Sequence, residues 1–283
     1  MQRTLTASRR KGQRGFVLIT VLWVALGLLL AASTYLVTQR QTALATRAEV
    51  ETTRAVELAR SAVNVALSDL GRIGEAQPRS LRDGTPVTIT MAEGQATYRI
   101  WDEGGKLDIN MAPVELLGPA LQRLGEGSGI DAFDAVTIAQ ALVTQRADAD
   151  ARNFSRPIPQ LLADLGFPQD VSLRARQVLT TYNGTRQVNP LTASPALLAA
   201  IPGLGPSDVT QIVQRRAAGQ SLPRLGTASV WLSGTEGPIY TIESRGTLQS
   251  GVSAEIIATV AMGGISFRGG TMRYDILGVE ILR

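Results

Sequence analysis

Arg14-Gly15-Phe16-Val-Leu-Ile-Thr20-Val-Leu-Trp-Val24 opens an apolar run that continues to about Val37 without a charge. A helix needs roughly 20 such residues to cross the hydrocarbon core of a bilayer. Ahead of the run stand Arg3, Arg9, Arg10, Lys11 and Arg14 with no acidic residue among them. Basic flanks stay on the cytoplasmic side. The expected topology is therefore a single span, with a cytoplasmic N-terminus and everything after Val37 on the far side. Three readings compete for this stretch. A secretory signal has a shorter apolar core, and Leu30-Ala-Ala-Ser33 is a passable cleavage site. A plain anchor accounts for hydropathy alone. The third reading takes in the junction itself, where a basic leader ends in Gly15 and an aromatic residue, Phe16, begins the span.

Composition narrows the function. The 283 residues contain no cysteine and no histidine, so disulfides, thiolate metal sites and the commonest general base are absent. The sequence gives no grounds for an enzyme. The net charge of +4 derives from 28 basic and 24 acidic residues. Without residues 1–15 the basic count falls by five to 23, a net of −1. A near-neutral body has no general attraction for a polyanion, so no nucleic-acid partner is expected.

Downstream of the span, no proline interrupts residues 16–70, and Gly27 is the one glycine within them. Val56, Ala59, Val63, Ala66 or Leu67, and Leu70 recur at helical steps, while Arg54, Glu57, Arg60 and Asp69 fall on other faces. At about 1.5 Å per residue this predicts one helix of roughly 80 Å. Its far half should pack on a domain, and Gly71 and Gly74 should end it. Pro86–Met91 and Ala96–Trp101 read as strands joined by a hairpin at Glu93-Gly-Gln95. Asp102-Glu-Gly-Gly-Lys-Leu-Asp108 reads as a solvated loop whose carboxylate spacing matches no EF-hand.

Residues 110–227 turn helical, with candidates at Pro113–Leu124, Ala132–Arg146, Ile158–Leu165, Val171–Thr181, Ser194–Ala200 and Pro206–Ala217. Two stretches look like halves of a duplication, Asp108-Ile-Asn110-Met-Ala-Pro and Gln187-Val-Asn189-Pro-Leu-Thr. The second half contains Ile201-Pro202-Gly203-Leu204-Gly205-Pro206, which resembles the turn of a helix-hairpin-helix. There the glycines permit close turning, Leu204 anchors the hairpin, and Pro206 starts the next helix. In DNA-binding members such a turn holds a phosphate. Here structural packing is the favoured role. Three strands follow, at Pro238–Arg245, Ala254–Val260 and Arg273–Ile281. Strands on both sides of a helical block imply one sheet split by an insertion.

The leader ending at Gly15 and Phe16 resembles the class III signal of type IV pilins and type II secretion pseudopilins. That resemblance implies a prepilin peptidase that cuts after Gly15 and methylates Phe16. Most of these proteins carry a glutamate where this chain has Thr20. Taken with the helix, the split sheet and the hairpin-bearing insert, this departure is similar to the minor pseudopilin K family of the type II secretion system (GspK). The resemblance implies an α+β, pilin-like fold. Its parts are a leader at 1–15, a transmembrane helix at 16–37, helix and first strands at 38–109, an inserted all-α domain at 110–227 and closing strands at 228–283. It implies a non-enzymatic, single-pass inner-membrane protein with a periplasmic body. Such a protein would join minor pseudopilins I and J in a tip complex that initiates and caps the pseudopilus for export of folded proteins. The face carrying Val56, Ala59, Val63, Leu67 and Leu70 is expected to meet those partners. Some family members bind calcium, but no ligand set is assignable in this sequence. The rival readings are a membrane-anchored, competence-type DNA receptor, which leaves the closing strands unexplained, and an atypical type IV minor pilin, which lacks the helical insert.

Overall fold

The computed structural model describes residues 13–71, 82–127, 131–147, 157–265 and 272–282. Residues 1–12 of the leader and Gly74 lie outside them. The chain divides into two units, Met1–Thr53 and Arg54–Arg283. In order, the elements are α1 (Gln13–Gly71), β1 (Val87–Met91), β2 (Gly94–Asp102), β3 (Leu107–Asp108), α2 (Val114–Gly125), α3 (Ala132–Ala147), α4 (Ile158–Asp164) and α5 (Gln169–Arg174). Then come β4 (Leu179–Thr180), α6 (Pro195–Leu198), α7 (Pro206–Ala217), β5 (Ile239–Leu248), β6 (Ser253–Ile265) and β7 (Met272–Leu282).

Within the first unit, α1 leaves its apolar side chains exposed, Trp23 by 69% and Leu29 by 68%. By length and composition it is long and apolar enough to span a membrane. Its hydroxyls make no outside demand. Ser33 donates to the Leu30 carbonyl, Thr34 to Ala31, Thr38 to Thr34 and Thr42 to Thr38, the back-bonding that lets small polar residues sit in a helix without a further partner.

In the second unit, the last turns of α1 lie on a five-stranded sheet of order β1-β2-β5-β6-β7, every neighbour antiparallel. The split sheet is therefore present, since β2 pairs with β5 across the whole insert. The alternation expected of a half-buried sheet holds in β5, where Tyr240, Ile242, Ser244 and Leu248 point inward. Ala55, Ala59, Ala62 and Ala66 are fully buried on the facing side of α1. Small residues there bring the helix close. Ser244 donates to the Ala59 carbonyl at 2.8 Å, and a Cβ on Gly246 would lie 2.5 Å from the Ala55 oxygen. The β1–β2 turn is Ala92-Glu93 rather than Glu93–Gln95, because β2 already begins at Gly94, paired with Met91.

The insert has its own apolar core, running from Leu107 and Ile109 to Ala228 and Leu232, slightly wider than 110–227. The expected helix Val171–Thr181 ends early. After α5 and a short 3-10 turn, Leu179 and Thr180 pair in parallel with Leu107 and Asp108. The β-branched Val178, Thr180 and Thr181 favour that extended exit. The duplication is present in backbone geometry, shifted by two residues from the alignment of Asn110 with Asn189. Asp108 and Asn189 are the equivalent pair. Each is buried, each side-chain oxygen accepts the amide two residues on, and each carbonyl accepts those three and four residues on. Arg146 then donates to the Ile109 carbonyl, as Arg216 does to Ala193 and Pro190.

Candidate functional site

Gly15 and Phe16 lie inside the first turns of α1, and Thr20 is exposed on its surface. The features named from sequence fall into three groups in the structure: this terminus, the α1 face, and the hairpin turn. The structure does not bring the second and third together.

The α1 face is occupied. Val56, Ala59, Val63 and Leu70 are 0–8% exposed, and all four belong to the core shared with the sheet. Leu67 packs partly against it. These residues hold the helix to its own sheet, so they do not present a surface to another chain. The expectation that they face partners is corrected by the intramolecular packing that the same periodicity also predicted.

Pro202–Gly205 lie in the turn between α6 and α7. Gly203 has φ +89, and a Cβ there would lie 2.8 Å from the Thr227 hydroxyl oxygen, so only glycine fits. Leu204 packs against the helical core. The helix before the turn, α6, is a single turn of four residues. At the start of α7 the Asp208 carboxylate accepts the Gly205 amide at 2.8 Å, which places negative charge where a phosphate would bind. Arg216 of α7 is buried in an ion pair with Asp83 at 3.2 Å. Desolvation lowers its pKa, and the Asp83 charge partly offsets this. The turn therefore anchors the insert.

Sequence reading missed the loop after β2. Asp102, Glu103, Lys106 and Asp108 are each at most 4% exposed, so the segment expected to be solvated is a buried polar junction. The Asp102 carboxylate accepts four hydrogen bonds. Gly104 and Gly237 donate amides to Oδ1 at 2.9 and 3.3 Å, while Asn189 and Thr192 donate to Oδ2 at 3.1 and 2.8 Å. Glu103 Oε1 accepts Lys106 Nζ at 2.5 Å and the Thr241 hydroxyl at 2.7 Å, and its Oε2 accepts the Thr180 hydroxyl. Asp108 accepts amides of Asn110 and Gly184 at 2.8 and 2.6 Å. Burial raises the Asp102 pKa, opposed by Thr192, Gly104 and Asn189. Burial likewise raises that of Asp108, opposed by the Gly184 and Asn110 amides and by Arg146. No side-chain polar atom of this cluster is left without a partner, and the cluster ties β2 and β5 to the insert, as buried charges require. Its chemistry is structural. Among the described residues, no group of three or more His, Cys, Asp or Glu is arranged to hold a metal.

Beside the junction lies a cleft of about 270 Å³ between the sheet and the insert, lined by Glu103, Lys106, Thr180, Tyr182, Thr241 and Glu243 among others. Across it, Arg176 pairs with Glu280 of β7 at 2.9 Å. A second missed feature is the exposure of β7. Tyr274, Ile276, Val279 and Ile281 are 40–59% exposed although they alternate as a core strand does. The alternation was legible, but what covers the apolar side was not.

No protein-family profile matches the sequence, and no curated protein does. Among solved structures, the fold is similar to a chain in the crystal structure of the GspK-GspI-GspJ complex from the type 2 secretion system of enterotoxigenic Escherichia coli, with a TM-score of 0.49 and 15% identity over 84% of this chain and 99% of that chain.

Proposed function

We propose that this chain is a minor pseudopilin of the K type, a non-enzymatic subunit of a type II secretion system. The observation that carries the reading is α1. One 59-residue helix has an exposed, membrane-length apolar start, while its end is laid on a five-stranded antiparallel sheet that a helical insert interrupts. In this reading Gly15 and Phe16 are the processing junction for a prepilin peptidase. The chain is anchored in the inner membrane with its second unit in the periplasm. Thr20, in place of the usual glutamate, leaves the subunit without the buried carboxylate that pairs with a neighbouring N-terminus, which suits a subunit at the filament tip beside minor pseudopilins I and J. The helical insert enlarges that tip subunit, fastened by Asp102, Glu103 and Asp108.

The test is the mass of the mature N-terminus in cells with and without a prepilin peptidase. Peptidase-dependent cleavage between Gly15 and Phe16, with a methyl group on Phe16, is the expected result. An uncut chain, or a cut near Ala32, would sink the reading.

A further inference from the structure

The sheet face that receives α1 is only partly covered. Ser244 and Gly246 seat α1 over β5, and Ile256, Ala258 and Val260 of β6 are buried beside it. The row continues onto β7 on the same side. Ile281 pairs with Ile256, Val279 with Ala258, Ile276 with Val260 and Tyr274 with Met262. Yet Ile276 is 59% exposed and Val279 55%. Strands lie about 4.8 Å apart, so β7 is roughly 10 Å from the strand beneath α1. A helix is about 10 Å across, and neighbouring helices pack 8–10 Å apart. The open strip therefore has the width of one further helix beside α1.

Three observations distinguish a helix from an added strand. Tyr274, Ile276, Val279 and Ile281 pair with the buried side of β6, while Arg273, Asp275, Glu280 and Leu282 alternate to the other side. This is the pattern of a sheet with one covered face. The β6–β7 ladder shifts register at Thr259/Val260 and again between Met262 and Ile265, and such irregularities discourage edge-to-edge pairing. The chain also covers the neighbouring half of this same face with a helix of its own.

We propose that Tyr274, Ile276, Val279 and Ile281 form the seat for an apolar-faced helix of a partner minor pseudopilin, packed alongside α1. The inference rests on the proposed function, since it supplies the surface by which that subunit joins its partners. It replaces the buried α1 face as the contact. A contiguous apolar strip of this kind is seldom left open on a chain that works alone.

The absence of native cysteine makes single-cysteine labelling specific. Full-length chains carrying Ile276→Cys, Val279→Cys or, on the opposite sheet face, Thr90→Cys would be co-expressed with the partner minor pseudopilins, purified in detergent and treated with a maleimide. Loss of labelling at positions 276 and 279 on complex formation, with labelling at 90 retained, is the expected result. A complex in which 276 and 279 label as fast as in the free chain overturns the seat and leaves the functional reading standing. Loss of labelling at 276 and 279 in the free chain, with dimers of this chain in solution, assigns the strip to a second copy and also overturns it. Failure of the unsubstituted chain to form any complex removes the functional reading, and the seat with it.

Discussion

Asp102 shows how much one side chain carries. Its two oxygens serve four donors, from Gly104, Gly237, Asn189 and Thr192. An amide in its place would turn an NH₂ toward donors and leave at least one buried group unmatched. Asp102→Asn should cost about 3 kcal/mol, read as a lower urea midpoint at unchanged slope. Asp108 gives a pH test. Burial is the main cause of its raised pKa, so the native state holds that proton more tightly than the unfolded chain does. As pH rises above the ordinary value of 3.8 and through the raised one, the unfolded state gains by ionising first, and native stability falls. The stability of the unsubstituted protein relative to Asp108→Asn should therefore decline as pH rises above about 4. The opposite slope in paired denaturation curves would contradict the buried assignment.

At the scale of elements, the contact between α1 and β5 depends on missing side-chain volume. A Cβ at Gly246 would lie 2.5 Å from the Ala55 oxygen and 2.6 Å from the Ala59 nitrogen, both in a helix backbone that cannot yield locally. Gly246→Ala should cost about 3 kcal/mol through overpacking. Gly278 of β7 has open space around its Cβ position, and Gly278→Ala should leave the thermal midpoint nearly unchanged. Equal effects at the two sites would mean that α1 does not seat there. The same scale explains a misread element. Val178–Thr181 has apolar spacing compatible with a helix, but the carbonyls of Val178 and Thr180 accept the amides of Leu107 and Ile109, donors some 70 residues away.

For the whole molecule, both apolar cores lie within Arg54–Arg283, and the polar junction lies there too. A chain starting at Arg54 should therefore fold without residues 1–53, unfold cooperatively and no longer partition into membranes. Circular dichroism and membrane flotation would check this. Loss of the sheet signal on truncation would show that the first unit supplies stability as well as anchorage.

The sequence by itself determined what depends on local period and composition. The long α1, the apolar start, the split sheet and the Pro202–Gly205 turn were all legible, because 3.6-residue and two-residue repeats and glycine-proline punctuation act over a few residues. The tertiary structure decided which side of each element is used. It buried Val56, Ala59, Val63 and Leu70 against the chain's own sheet, buried the carboxylates of Asp102 and Asp108 rather than leaving them in solvent, and left Ile276 and Val279 uncovered. Those outcomes depend on partners far along the chain: Asn189, Thr192 and Gly237 stand 87, 90 and 135 residues from Asp102. No local pattern encodes a desolvation cost that is offset only when such distant donors converge.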